Sequence, residues 1–187
     1  MSFLQKIVPF LGKSDQERLE ASLKPWATAL YNNIAERVVL LSQPQGPLKM
    51  EPTFDLNFEL AVFWLSAAQA KIKATCTQAQ AIQLNQVLWN VTFEGFDYSL
   101  RDRGVLDVRL GARMHKLLPH AQGRRNAYVT AIENHDDDAM KAAIIRNILD
   151  GKADLNDSRV ELLFQSLDDI AKLDLVVKLP IELLPAE

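Results

Sequence analysis

The sequence contains a single cysteine, Cys76, among its 187 residues. One cysteine excludes an intramolecular disulfide and a cysteine-based zinc cluster, and it suits a reducing compartment. No apolar run reaches the roughly 18 residues that a membrane-spanning helix needs. Met1–Lys13 is interrupted by Lys6 and Pro9 and lacks arginine and a small-residue cleavage site, so it suits neither a secretory signal nor a mitochondrial transit peptide. We therefore expect a soluble protein of the cytoplasm.

Patterns that carry catalysis are also missing. No nucleophile motif surrounds Cys76, and His115, His120 and His135 do not have the spacing of metal ligands. The acidic residues Asp136–Asp138 lack the alternating spacing and the glycine of a calcium loop, and they fit a helix start better. We therefore expect no enzymatic activity, no metal and no cofactor.

Apolar residues recur at steps of three and four along most of the chain, which is the spacing of a helix with one buried face. The pattern predicts a single compact all-α domain at 14–173, between a short apolar N-terminal segment at 1–13 and a C-terminal tail at 174–187. About seven helices are expected, near residues 14–41, 53–73, 77–103, 108–118, 124–134, 136–150 and 158–170. The third helix has the widest apolar face and is expected to be central.

Several residues predict where these helices begin and break. Three capping boxes, in which two side chains satisfy each other's backbone donors, are formed by Ser14 with Glu17, Thr77 with Gln80 and Ser158 with Glu161. Asp107 is expected to cap the fourth helix. Pro25 predicts a kink or a restart in the first helix, and Pro119 with Gly123 predicts a break between the fourth and the fifth.

Both ends of the chain are rich in apolar residues. The N-terminal segment carries Phe3, Leu4, Ile7 and Phe10, and the tail carries valine, leucine and isoleucine beside Pro180. Each end either packs back onto the domain or contacts a partner or a membrane interface, where short apolar segments can lie among lipid headgroups. The sequence leaves both alternatives open.

Positive charge is concentrated between Arg101 and Arg125, where seven cations face only Asp102 and Asp107 in a protein whose net charge is −3. Three of these cations share one face of the predicted fourth helix, and we name them the cationic stripe: Arg109, Arg113 and Lys116. The stripe could bind phosphates or the carboxylates of a protein partner, or it could be a solvated face paired with the acidic C-terminal half. The stretch has neither interleaved aromatic residues for base stacking nor a glycine-rich loop for phosphate, so a specific nucleic-acid site is not expected.

The stretch Asp97–Met114 resembles the signature of the ubiquinol–cytochrome c chaperone family: an acidic residue and Leu-Arg, then Gly-Val, an acidic residue and a basic helix. The resemblance continues at Gly123–Tyr128, with Gly-Arg, a spacer and Ala-Tyr. It continues again at Asp137–Ile148, with an acidic helix start and Arg-Asn near the helix end. Together these pieces cover about residues 31–151. The long presequence of eukaryotic members is missing, which favours a bacterial member.

The resemblance implies a helical, non-catalytic chaperone, because eukaryotic members bind newly made cytochrome b and assist assembly of the cytochrome bc1 complex. The partner-binding surface would then include the following residues: Arg101, Arg109, Arg113, Lys116, Arg124 and Tyr128. For Arg101, a buried salt bridge with an acidic helix is an equally good explanation.

The sequence therefore supports two alternative functions. The first is an assembly chaperone that holds cytochrome b or a similar hydrophobic membrane subunit, with apolar surface giving affinity and the cationic stripe giving orientation. The alternative is a peripheral adaptor at the inner membrane or the ribosome, with the stripe on phosphates and Met1–Leu11 at the lipid interface. The sequence leaves open whether a small partner subunit or a second copy of the chain completes the binding surface.

Overall fold

The computed structural model describes residues 13–168 and residue 180, and no strand occurs among them. The elements are six helices: α1 (Lys13–Leu41), α2 (Phe54–Thr75), α3 (Gln78–Asp102), α4 (Asp107–Glu133), α5 (Asp137–Asn147) and α6 (Ser158–Gln165). The predicted all-helical class is thus confirmed. Phe3, Leu4, Ile7 and Phe10 lie outside the described residues, as does the tail apart from Pro180, so their roles stay predictions.

Helix α2 is the centre of the fold. It packs against α1, α3 and α4, and consecutive residues such as Phe63, Trp64 and Leu65 are all buried. A helix that is apolar on every side is stable only when neighbours cover its whole circumference. Helix α3 contacts α1, α2 and α4, as expected of a helix with neighbours on several sides, but Glu94 and Tyr98 leave part of its surface in solvent.

Helix α1 is continuous through Pro25, so the expected restart does not occur. Proline removes one backbone donor, and the carbonyl it leaves unpaired belongs to Ala21, which is exposed like Pro25 itself. Leu23 and Trp26 are buried on either side of the proline and hold both parts of the helix against α3 and α2.

Helix α4 is likewise continuous over 27 residues, and the predicted break at Pro119 and Gly123 is wrong. The carbonyl that Pro119 leaves without a donor belongs to His115, and both residues are exposed, so water can satisfy it. Buried Leu110 on one side and Ala121 on the other anchor the helix. The two predicted helices at 108–118 and 124–134 are therefore one, which reduces seven helices to six in the described part of the chain.

The predicted helix starts have mixed outcomes. The capping box of Thr77 and Gln80 is confirmed, with both reciprocal hydrogen bonds formed. At α6 the cap is Asp157, one residue earlier than predicted, because its carboxylate accepts from the Arg159 backbone nitrogen. The prediction that Asp107 caps α4 is wrong, because the cap position is Leu106, which offers no side-chain hydrogen bond. Ser14 lies inside α1, and its side chain is not described.

Candidate functional site

The cationic stripe is solvent-exposed on the first half of α4. Arg109, Arg113 and Lys116 are all exposed, and Leu110 is the only fully buried residue between Asp107 and His120. Within residues 13–168, neither Arg109 nor Lys116 forms an ion pair. Several acidic groups of the C-terminal half pair with other cations, as Glu161 does with Lys141 and Asp157 with Arg159. The stripe is therefore not neutralised by the described part of the acidic half.

Arg113 differs from its neighbours in the stripe because it also covers an aromatic ring. Its guanidinium carbon lies 5.2 Å from the centre of the Phe54 ring, within the range of a cation–π contact. Behind Phe54, ring contacts continue through Phe58, at 6.4 Å, and from Phe58 to Phe96, at 5.2 Å. This arrangement fixes the position of Arg113 while its charge stays in solvent.

Arg124 is held inward by a partly buried ion pair. Its Nε donates to both carboxylate oxygens of Glu59 on α2, with the Oε1 contact at 2.6 Å. Burial raises the pKa of Glu59, although the Arg124 guanidinium opposes that shift. Arg124 therefore joins α4 to α2, and its side chain is only 26% exposed.

Tyr128 has no exposed surface. Its ring packs edge-on against Phe63 at 5.2 Å, and its hydroxyl accepts a hydrogen bond of 3.3 Å from Asn147 Nδ2 on α5. Burial raises the pKa of the Tyr128 phenol. A side chain without exposed surface cannot contact a partner in this conformation, so the expected direct contact is replaced by a role in joining α4 to α2 and α5.

Arg101 connects the end of α3 to the start of α4. Its Nε donates to Asp97 Oδ2 at 2.7 Å, and its Nη1 donates to Asp107 Oδ1. Between the helices, Gly104 adopts the left-handed conformation at φ +80, and the Val105 nitrogen donates to the Leu100 carbonyl. We call residues 98–109 the elbow. The expected buried salt bridge with an acidic helix does not form here: the Arg101 side chain is 47% exposed, its partners lie on α3 itself and at the first residue of α4, and exposed pairs carry little stability.

A groove of about 480 Å³ lies between α4 and α5. Its lining combines small residues with polar ones and includes Ala127, Thr130, Ala131, Asn134, Ala142 and Arg146. We call it the α4–α5 groove. Backbones can approach each other closely where side chains are small, so an added helix could pack tightly at this position.

The cationic stripe and the α4–α5 groove lie on the same side of α4. From Lys116 the steps of three and four continue through His120 and Gly123 to Ala127 and Thr130, and the helix is unbroken over that distance. This shared face could not be predicted from the sequence, because a helix break at Pro119 would have separated the two parts.

Sequence reasoning also missed the polar residues that fix these helices. Gln69 on α2 is buried and exchanges side-chain-to-backbone hydrogen bonds with Asn85 on α3, at 3.3 and 3.4 Å. Its Oε1 accepts from Arg125 Nε at 2.6 Å, and burial lowers the pKa of Arg125. A glutamine within an apolar helix was the only sequence signal for this junction of three helices.

Within residues 13–168, no three His, Cys, Asp or Glu side chains come together in a way that could hold a metal ion. None of the helices described is both long enough and apolar enough to cross a bilayer. The polar groups that do converge, such as Glu59 with Arg124, form structural pairs between helices.

Comparisons with known proteins agree with this architecture. A family model described as Ubiquinol-cytochrome C chaperone matches residues 47–179, more than half of the chain. The crystal structure of the Cbp3 homolog from Brucella abortus has a similar fold, with a TM-score of 0.60 and 20% sequence identity over 86% of each chain. At this identity the structural likeness concerns the fold alone. No curated protein matches the sequence.

Proposed function

The chain belongs to the ubiquinol–cytochrome c chaperone family, and from this premise we propose that it holds newly made cytochrome b during assembly of the cytochrome bc1 complex. The family supports a non-catalytic role in assembly. The client and the surface that binds it are proposals that rest on the geometry of α4.

The observation that carries the proposal is the unbroken face of α4. One half of this face presents the cationic stripe, and the other half forms the α4–α5 groove. A membrane subunit that has not yet been assembled exposes apolar helices next to polar connecting loops. A face with small residues at one end and free cations at the other is complementary to both features.

The two halves of this face have separate physical tasks. In the groove, burial of apolar client surface provides affinity that salt does not weaken. At the stripe, Arg109 and Lys116 attract acidic loops or helix ends of the client, which speeds association and sets its orientation. Arg113 is held against Phe54, so its side chain is less mobile than those of Arg109 and Lys116 and can orient the client more precisely.

The first experiment measures co-purification of cytochrome b with the tagged full chain from membranes of the source cells. We expect cytochrome b to co-purify with the wild type and to be depleted in the variant R109E/K116E, whose changes are both at exposed side chains. The matched control is R18E/K152E, which reverses the same number of charges at exposed positions away from α4 and should retain cytochrome b. Equal recovery of cytochrome b with all three proteins would contradict the proposed role of the stripe, and absence from the wild type would contradict the client.

The groove is tested separately with Ala142→Leu. Ala142 is exposed and lines the groove, so a leucine there fills the groove without entering the core. We expect about tenfold weaker binding of a cytochrome b helix peptide, since one displaced apolar contact is worth roughly that factor. Because this loss is not electrostatic, it should be the same in low and high salt, unlike the loss in R109E/K116E. Unchanged binding would exclude the groove.

A further inference from the structure

The elbow presents large apolar side chains to solvent. Three of the most exposed apolar residues in the described chain lie there: Tyr98 at 75%, Leu106 at 69% and Val108 at 93% exposed. A value of 93% means that Val108 touches almost nothing of its own domain. Tyr98 lies near the end of α3, Leu106 in the connecting turn and Val108 at the start of α4.

The turn that carries them is held in one geometry. Gly104 follows α3 in the left-handed conformation, its nitrogen donates to the Arg101 carbonyl, and the Val105 nitrogen donates to the Leu100 carbonyl. The N-cap and the first turn of α4 therefore present Leu106 and Val108 without further ordering of the chain. A surface that is ordered before binding loses less conformational entropy when it binds.

Cations surround this protruding apolar tip. From residue 98 to residue 116 the chain carries five cations and two carboxylates. One of the two carboxylates, Asp107, is already paired with Arg101. Among residues 13–168, Arg103, Arg109 and Lys116 have no ion-pair partner, so their charge is available to an external anion.

We propose that the elbow docks on an anionic lipid bilayer, with Leu106 and Val108 inserted among the headgroups and Arg103 and Arg109 on lipid phosphates. A protruding apolar tip with flanking cations suits the plane of a membrane interface, where apolar burial and attraction to anionic lipid act together. Binding by this route needs no spanning helix. It differs from the sequence expectation in which Met1–Leu11 makes the lipid contact.

This lipid contact is independent of the proposed function, although the two are compatible. A chaperone bound in this way would already be oriented at the bilayer surface when it meets a client embedded in the bilayer. The client face of α4 and the elbow tip use different side chains, apart from Arg109. Variants that keep Arg109 therefore separate the loss of lipid binding from the loss of client binding.

The test uses the full chain and vesicles of phosphatidylcholine alone or mixed equally with phosphatidylglycerol, followed by flotation. We expect the wild type to float with the anionic vesicles in low salt and L106S/V108S to bind about tenfold more weakly, because two partly inserted aliphatic side chains are worth roughly this factor. Val39 and Leu40, exposed by 54% and 62% on α1, provide the matched control V39S/L40S, which should float like the wild type. High salt should weaken binding of the wild type.

A fluorescent probe locates the contact directly. An environment-sensitive fluorophore attached to V108C in a C76A background should shift to the blue on anionic vesicles, whereas the same probe on L155C should not. Leu155 is 47% exposed and lies in the turn before α6, so it reports a different surface. Absence of wild-type flotation, equal flotation of L106S/V108S, or a shift only at position 155 would each overturn the proposal. Both serine variants should still bind the cytochrome b peptide.

Discussion

The phenol ring of Tyr31 on α1 lies directly over Gly95 on α3, at a point where any side chain on α3 would occupy the same space. A Cβ placed at Gly95 would overlap the Tyr31 Oη and Cζ atoms. The ring is partly buried, and burial raises the pKa of its hydroxyl. Close approach of α1 and α3 at this position therefore depends on the absence of one carbon atom.

The first prediction is that Gly95→Ala destabilises the protein. Tyr31 is an inflexible ring held between two helices, so the added methyl group must displace the helices or the ring, at a cost of about 1–3 kcal/mol. Urea unfolding followed by circular dichroism measures this loss. Gly123→Ala is the control, because nothing lies within 4 Å of the added carbon and alanine favours the helix by about 1 kcal/mol. Equal stability of the two variants would contradict the contact.

The second prediction concerns the buried pair of Glu59 and Arg124. Arg124→Ala leaves a carboxylate that is only 12% exposed without its counter-charge, and we expect a loss of about 2 kcal/mol at pH 8. Burial already raises the pKa of Glu59, and removal of the guanidinium raises this pKa further. Because the folded state then binds the proton more tightly than the unfolded state, stability rises as the pH falls. Urea unfolding at pH 8 and pH 5 should show a smaller deficit at pH 5.

The control for this pH effect is Lys24→Ala, which breaks the exposed pair with Glu94. Exposed pairs contribute little, and the side chain of Glu94 is 53% exposed, so its carboxylate stays hydrated when the lysine is removed. The stability of Lys24→Ala should follow that of the wild type at both pH values. A pH-independent deficit for Arg124→Ala would mean that lost packing, and not an uncompensated charge, causes its instability.

The third prediction concerns the start of α6. Hydrogen bonds from the Arg159 side chain and backbone lower the pKa of Asp157 to about 2. The ionised cap therefore stabilises α6 at every pH above the usual pKa range of aspartate. This contribution is lost as the pH falls toward 2. In Arg159→Leu the pKa of Asp157 should rise toward its ordinary value while the backbone bond remains. Titration of the carboxyl carbon by NMR measures both values, and an unchanged pKa would exclude the side-chain bond as the main cause.

The fourth prediction separates structure from binding at Tyr128. Tyr128→Phe keeps the ring against Phe63 but removes the hydroxyl that Asn147 contacts, so stability should fall by about 1 kcal/mol. Binding of the cytochrome b peptide, measured well below the melting temperature, should be unchanged because the side chain is buried. If affinity fell as well, the tyrosine would have to become exposed when the client binds.

Local features of the fold were predictable from the sequence because they depend on neighbouring residues. The cap of α3 at Thr77 and Gln80 and the acidic start of α5 at Asp136 both involve contacts within one helical turn. The end of α3 at Gly104 follows from the conformational freedom of glycine. The prediction at Pro119 was wrong for the opposite reason. The sequence shows the local cost of a proline within a helix, but it does not show that burial of residues on both sides offsets this cost.

Contacts between helices could not be predicted in the same way. Glu59 and Arg124 are separated by 65 residues, and Gln69 and Arg125 by 56. Their pairing depends on the angle at which α4 crosses α2, which periodicity does not specify. The resemblance to the chaperone family singled out Tyr128 without indicating whether it is buried, so its inward position became clear only from the packing of Phe63 and Asn147 around it.

The uninterrupted course of α4 through Pro119 fixes the distance between the cationic stripe and the α4–α5 groove. At a rise of about 1.5 Å per residue, 27 residues extend about 40 Å, somewhat more than the roughly 30 Å thickness of the hydrocarbon layer that a client helix must match. A client could therefore place apolar surface beside α5 and a polar loop or helix end beside the arginines at the same time. A helix broken at Pro119 would separate these two ends and could hold only one of the two features.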